Sequence, residues 1–277
     1  MVMDKIALEK MVEAALREDI SWGDVTTESL IPTDSVTTAK LVSKSNSVVC
    51  GLLPFSMTFS KLDPNCTFIQ HVEEGTLVEP GTEVVTVTGK TRAILTAERT
   101  ALNFFNHMSG IATMTRRVAS ILEGTDCRVV DTRKTLPLLR MIEKYAVKVG
   151  GAQNHRHDLS QLVLIKDNHI QAVGSVGEAV RRAANSVSFS VKIECEVTNL
   201  GQALEAVEAG ADILLFDNMQ PFEISEAISQ LPEDIYFEAS GNISPNNCLE
   251  YAKVGVDFIS MGRLTHSAPY ADFSLEF

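Results

Sequence analysis

The stretch QLVLIKDNHIQAVGSVGEAVRRAANSVSFSVKIECEVTNLGQALEAVEAGADILLFD, residues 161–217, carries the pattern that decides the fold. Short apolar runs, QLVLIK (161–166), VKIECE (191–196) and ILLFD (213–217), alternate with helical spacing near 176–185 and 200–209. Strand, helix and strand at that interval form βα units, and repeated βα units build a parallel sheet. The rhythm continues outward. RVVD (128–131) precedes the stretch, and IYFEA (235–239) and FISMG (258–262) follow it. Further helices fit near 134–149, 221–230 and 245–254, with Asn199-Leu200 and Ser244-Pro245 as helix starts. Six strands are expected. Their C-terminal ends carry Asp131 to Lys134, Lys166, Glu196, Asp217, Ser240-Gly241 and Gly262-Arg263. A doubly wound sheet also gathers groups at its strand ends, but over a narrower crevice; polar residues at every end favour an α/β barrel. Six strands leave that barrel incomplete or open.

The front of the chain has a different character. Residues 3–17 read as an amphipathic helix, with Leu8, Met11, Val12, Ala15 and Leu16 as its buried stripe and Gly23 beyond its end. Across 35–89 the pattern is β. AKLVSK, SVVC, CTFIQHV and EVVTVTG are short segments separated by glycine and proline, and Gly75 and Pro80-Gly81 predict tight antiparallel connections. A long helix is expected over 91–122, and Ser109-Gly110 marks where it could break.

Composition narrows the function. The 277 residues include 36 acids against 24 lysines and arginines, a formal net charge of −12. That balance argues against nucleic acid and against anionic membrane surfaces as partners. Five scattered cysteines without a CxxC pair suggest a reducing compartment, not a disulfide framework or a zinc knuckle. Charges interrupt the N-terminal segment, and no apolar run reaches the length of a membrane span, so a cytoplasmic protein is expected.

Against this acidic background, residues 131–169 hold seven lysines and arginines and four acids. Arg140, Lys144 and Lys148 lie at helical i, i+4 spacing and read as solvated surface cations. Arg133, Lys134, His155, Arg156 and Lys166 fall on loops or strand ends. Their clustering suggests a pocket for a small polyanion, with surface ion pairing as the alternative. On the strand 191–196, Lys192, Glu194 and Glu196 share one face, which a barrel would turn inward. Lys192 and Glu194 could be a structural pair. Glu196, nearest the strand end, is the better catalytic candidate, and Asp217 could join it in holding ribose hydroxyls or a hydrated divalent cation. Small residues at Ser240-Gly241-Asn242 and Gly262 would let backbone amides approach a phosphate. His155-Arg156-His157 contains HxH, but its loop position and missing partner ligands count against a transition-metal site. Cys195 and Cys248 read as core residues.

DTRKT (131–135), EKYAVKVGGAQNHR (143–156) and LIKDNH (164–169) resemble the quinolinate phosphoribosyltransferase family. So do LREDISWGDVTT (16–27), ERTALNFFNHMSGIAT (98–113), EASGNI (238–243) and GRLTHSAPYADFSLEF (262–277), in the family's order. The resemblance implies a type II phosphoribosyltransferase fold. An N-terminal α/β sandwich would cover 1–110, with the tail 266–277 returning to it, and an incomplete, open α/β barrel would cover 111–265. It implies Mg²⁺-dependent transfer of phosphoribosyl from phosphoribosyl pyrophosphate (PRPP) to quinolinate, with decarboxylation. The homo-oligomer would be a dimer or hexamer, with Arg99 supplied across the interface. Arg133, His155, Arg156 and Lys166 match residues that hold quinolinate's carboxylates, and Lys134 and Lys166 face the pyrophosphate. Lys134, Lys166, Glu196 and Asp217 are the implied catalytic set. Glu196 and Asp217 lie near ribose and magnesium, the metal held directly or through water. Ser240, Gly241, Asn242 and Gly262 match the 5′-phosphate loops. The chain departs from the family's glycines at Leu138, Asp158 and Asn242, and Arg263 replaces a small residue. Other readings are a related phosphoribosyltransferase-like protein of molybdate-uptake clusters and a non-catalytic metabolite-binding barrel.

Overall fold

The computed structural model describes residues 3–277. They divide into two compact units. One takes the chain up to Arg116, Met141–Gly151 and Ala268–Phe277; the other takes Arg117–Arg140 and Ala152–Ser267.

The first unit is built on a four-stranded sheet of order β12-β1-β5-β3, with β1 Val36–Ser43, β3 Thr67–Gln70, β5 Glu83–Lys90 and β12 Phe273–Glu276. The C-terminal strand β12 pairs antiparallel with β1, Leu275 opposite Leu41. A short pair, β2 (Ser47–Val48) with β4 (Leu77–Val78), stands apart. The chain therefore leaves the sheet between β3 and β5 to build β4. The turns at Gly75 and Gly81, both with positive φ, serve that excursion and not a two-residue hairpin.

The β reading of 35–89 missed one element, the helix Leu52–Leu62. Its sequence, LLPFSMTFSKL, is apolar on most sides and so shows little periodicity. Phe55 and Phe59, one turn apart, are fully buried in the core, and the Glu74 carboxylate accepts from the amides of Gly51 and Leu52 at its start. Phe55, Phe59, Phe105 and Phe273 meet edge to face at 4.9–5.6 Å between ring centres. Each such contact adds about 0.5–1.5 kcal/mol beyond the burial of area.

The first helix runs from Lys5 to Ile20, capped by Asp4, and buries Leu8, Val12 and Leu16. The long helix spans Thr91–Ile121 without a break. Gly110 does not interrupt it, because its role is close approach: a Cβ there would lie 2.0 Å from the carbonyl oxygen of Pro269 in the returning tail. All five cysteines are free thiols, four of them buried.

The second unit is a six-stranded, wholly parallel sheet of order β6-β11-β10-β9-β8-β7. The strands are β6 Arg128–Val130, β7 Val163–Ile165, β8 Ile193–Val197, β9 Ile213–Asp217, β10 Tyr236–Ser240 and β11 Phe258–Ser260. The first two strands of this unit, β6 and β7, lie at opposite edges, so an open α/β barrel is formed. A parallel bridge between Val130 and Gln153 lays the segment after the next helix along the free edge of β6. Helices occur at Val176–Ser186, Leu200–Glu208 and Pro221–Ile228. Two are shorter than expected. The helix expected near 134–149 starts only at Arg140, because Pro137 and the left-handed Leu138 (φ 68°) hold the preceding residues in a loop. The one expected near 245–254 is Cys248–Ala252, since Ser244–Asn247 forms a turn closed on the Asn247 side chain. A further helix, Asp167–Val173, begins right after Lys166.

Replacing Gly110 by alanine forces the tail off the long helix. We expect a loss of about 1–3 kcal/mol, the usual penalty for overpacking, read as a lower urea midpoint at unchanged slope.

Candidate active site

Parallel strands send their C-terminal ends to one side, and the second unit places a cavity of about 290 Å³ there. Thr132, Arg133 and Lys134 follow β6, Lys166 follows β7, and His155 and Arg156 come from the segment beside β6. Leu164, Leu215, Glu238, Ser240 and Ser260 line the strand side. A second cavity of about 440 Å³ shares Thr132, Lys134, Ser240 and Ser260 with it and adds Gly241, Asn242, Gly262, Arg263 and His266. The cations singled out in the sequence therefore converge, and the small-residue loops border the adjoining space.

The convergence has local causes. The carboxylate of Asp131, fully buried at the end of β6, accepts from the backbone amide of His155 (3.0 Å) and from Asn154 Nδ2 (2.6 Å). It ties the two cationic loops together. Arg140 was expected to be a solvated helix cation, but it braces the same loops. Its guanidinium donates to Thr135 Oγ1 and to the carbonyl of His157, at 3.1 and 3.2 Å. Lys144, also expected at the surface, is fully buried in the first unit. Arg156 donates to the carbonyl of Leu162, and burial together with the charge of Arg133 pulls its guanidinium below the ordinary value.

On β8, Glu194 is fully buried and does not pair with Lys192, which lies over the exposed ring of Tyr236 instead. Its partner is His155, whose Nε2 lies 3.1 Å from one carboxylate oxygen and 3.5 Å from the other. The same nitrogen is 3.5 Å from Glu238 on β10. Sequence reasoning passed over Glu238, since one acid in an apolar strand carries no periodic signal. His155, Glu194 and Glu238 bring possible ligand atoms within 4.8 Å of one another. Yet His155 Nδ1 accepts from the amide of Arg156 at 2.7 Å, so Nε2 carries the proton and points at the acids as a donor. The group therefore reads as a histidine donor set against two buried acids, its hydrogen bond reaching Glu194 Oε1 at 3.5 Å. Burial and the charge of Glu194 push the Glu238 carboxyl up to about 8, against opposing pulls from His155, Ser260 and Lys166. Two buried carboxylates this close do not both ionise.

Glu196 is half-buried and 3.3 Å from Lys166. Burial and the charges of Asp217 and Asp167 raise its carboxyl, while Lys166 opposes them. Asp217 ends β9 beside Ser240 and accepts from Asn218 Nδ2. These two carboxylates are hard oxygen donors of the kind a hydrated divalent cation takes.

In the last loops, Gly241 has φ 97°, and a Cβ there would lie 2.3 Å from Asn218 Oδ1. Asn242 adopts φ 54°, which asparagine tolerates better than other non-glycine residues, so its departure from glycine is structurally mild. At Gly262 a Cβ would press on Lys134 Cδ at 3.0 Å. Asp158 is occupied within its own turn, accepting from the amide and hydroxyl of Ser160. Arg99 belongs to the first unit and is exposed.

The comparisons agree across both units. The family model for the C-terminal domain of quinolinate phosphoribosyl transferase matches residues 111–276, and that for the N-terminal domain matches 24–109. The chain is 43% identical over 276 residues to the "Probable nicotinate-nucleotide pyrophosphorylase (carboxylating)" of Methanocaldococcus jannaschii, covering 96% of each chain. It is 37% identical to the human nicotinate-nucleotide pyrophosphorylase (carboxylating), over all of this chain and 93% of that one. The crystal structure of NadC from Streptococcus pyogenes superposes with a TM-score of 0.96 at 38% identity, covering 100% of this chain and 98% of that one.

Leu138 holds a left-handed backbone while 91% exposed, a strain of about 1–2 kcal/mol that its side chain does not offset by packing. Leu138→Gly should relieve it, less the entropy glycine gains on unfolding. A net stabilisation of up to about 1 kcal/mol in denaturant unfolding is expected.

Proposed function

The chain belongs to the quinolinate phosphoribosyltransferase family, and from the pocket just described we infer how it transfers the phosphoribosyl group of PRPP to quinolinate. The products are nicotinate mononucleotide, pyrophosphate and CO₂. One observation carries the assignment of the site: Arg133, Lys134, Arg156 and Lys166 line one cavity in a chain whose net charge is −12. A cavity so charged suits a dicarboxylate next to a pyrophosphate.

In this reading Arg133, Arg156 and Lys166, with the edge of His155, hold the two carboxylates of quinolinate and aim its ring nitrogen at the ribose carbon. Holding the diacid in place turns an encounter into an effectively unimolecular attack. The bond to pyrophosphate breaks through an oxocarbenium-like transition state. Lys134 and Lys166 stabilise the leaving anion, which gains charge as the bond breaks. Glu196 and Asp217 orient the ribose hydroxyls and offset positive charge on the sugar. They also fit Mg²⁺, held directly or through water, and the ion when bound shields the pyrophosphate charge. Ser240, Gly241, Asn242 and Gly262 receive the 5′-phosphate on backbone amides, and Arg263 and His266 border the same space. Once ribosylated, the ring nitrogen is cationic and stabilises the carbanion left by departing CO₂, so the ring is its own electron sink.

The working form in this reading is a homo-oligomer, a dimer or hexamer, in which Arg99 completes a neighbouring site. Its exposure on the first unit is compatible with that role. Among the described residues no helix is long and apolar enough to cross a membrane, and we place the reaction in the cytoplasm.

Quinolinate, PRPP and Mg²⁺ together should yield pyrophosphate and CO₂ in equal amounts; no turnover by folded protein would sink the assignment. Arg133→Ala should raise the KM for quinolinate at least about tenfold more than that for PRPP, the loss of a charged hydrogen bond, and equal losses would remove its proposed role. Arg99→Ala should be inactive alone and regain activity when mixed with an inactive Lys134→Ala chain. Absence of that rescue would argue against a shared site.

A further inference from the structure

Glu238 lines the substrate cavity, yet none of the roles above uses it. It is 3% exposed and is faced from four other elements: Glu194 on β8, His155 on the segment beside β6, Lys166 after β7 and the Ser260 hydroxyl on β11. Arg133, Lys134 and Arg156 complete the charged lining of the cavity. Glu238 Oε1 is buried and has no hydrogen-bond partner in the protein. An orphaned acid oxygen on the wall of a ligand cavity is a costly feature unless the ligand engages it.

The reaction supplies a reason. Loss of CO₂ leaves an electron pair on a ring carbon, and nicotinate mononucleotide requires a proton there. The carboxylates of the substrate are drawn to Arg133, Arg156 and Lys166, which line the same cavity as Glu238. The vacated carbon is therefore brought to the wall that Glu238 occupies. We propose that Glu238 is the acid that protonates the ring carbon as CO₂ leaves. The bond from the ring to the departing carboxylate breaks, its electron pair stays on the ring carbon, and CO₂ is released. The O–H bond of Glu238 then breaks, the proton joins the carbon, and Glu238 is left as a carboxylate that water reprotonates before the next turnover.

The surroundings suit this task. An ionised Glu238 would repel the incoming dianion and its neighbour Glu194, whereas a neutral carboxyl does neither. Lys166 is already paired with Glu196. Glu194 acts as the positioning residue, its charge keeping the proton on Glu238 against the opposing pull of His155.

The proposal rests on the reaction assigned above, and single-turnover kinetics separate the two. Pyrophosphate and nicotinate mononucleotide are followed independently with quinolinate, PRPP and Mg²⁺, in wild type and in the isosteric Glu238→Gln. In wild type the two products should rise together near neutral pH. Above about pH 8, where Glu238 gives up its proton, the mononucleotide should lag behind pyrophosphate. In Glu238→Gln pyrophosphate should still appear, while the mononucleotide is slowed about a hundredfold at all pH values, within the range for loss of a general acid. Thermal melts supply a readout without turnover. The folded carboxyl binds its proton more tightly than the unfolded one, so wild type should lose stability as pH rises from about 4.5 to about 8, and the variant should not. Coupled products in the variant, parallel melts, or a wild-type mononucleotide step indifferent to pH overturn the proposal alone. Wild type that releases neither product overturns the assigned reaction and the proposal with it. If the variant fails to fold, the wild-type pH series still decides.

Discussion

The candidate site depends on one buried carboxylate. Asp131, at the end of β6, accepts from the amide of His155 and the side chain of Asn154, and so reaches across 24 and 23 residues of sequence to hold two chain segments together. The sheet is open between β6 and β7, and an open edge leaves backbone groups without partners. Gln153 answers part of that need by bridging to Val130, its amide donating to Val129 and its carbonyl accepting from Asp131. The open seam is thus where the cationic loops enter. A closed barrel would have placed a strand pair there.

The second constraint is electrostatic. Four cations around one cavity repel each other, and Arg156, partly buried and beside Arg133, is lowered first by loss of water and then by that neighbour's charge. Glu194 supplies one counter-charge behind His155, and Glu196 another beside Lys166. Glu238 adds a carboxyl but no charge near neutral pH. The cavity is left with an excess of positive charge for a substrate carrying two carboxylates. Neutralising every cation with an acid would have removed the attraction that fills the site.

Much of this was legible in the chain. The six parallel strands showed themselves because each is a short apolar run, and all six lie within a few residues of where that pattern puts them. Arg133, Lys134, His155, Arg156 and Lys166 could be named because they cluster on loops and strand ends, where helical i, i+4 spacing does not account for them. Helix Leu52–Leu62 was hidden, since a helix apolar on most faces has no stripe to detect. Arg140 and Lys144 were misread for the opposite reason. Their i, i+4 spacing fits an exposed helix face, and spacing alone does not reveal that a buried group has found a partner.

The order of strands and helices, the inward face of β8 and the concentration of cations in 131–169 are properties of the sequence by itself, because each is a local pattern of period two, period 3.6 or charge. The tertiary structure alone decided which acids meet. Glu194 and Glu238 lie 44 positions apart, and nothing local to either links them or joins both to His155. Protonation state is set by such long-range neighbours and by the loss of water around them. The cationic character of the pocket could be read from the chain; the neutral acid on its wall required the fold.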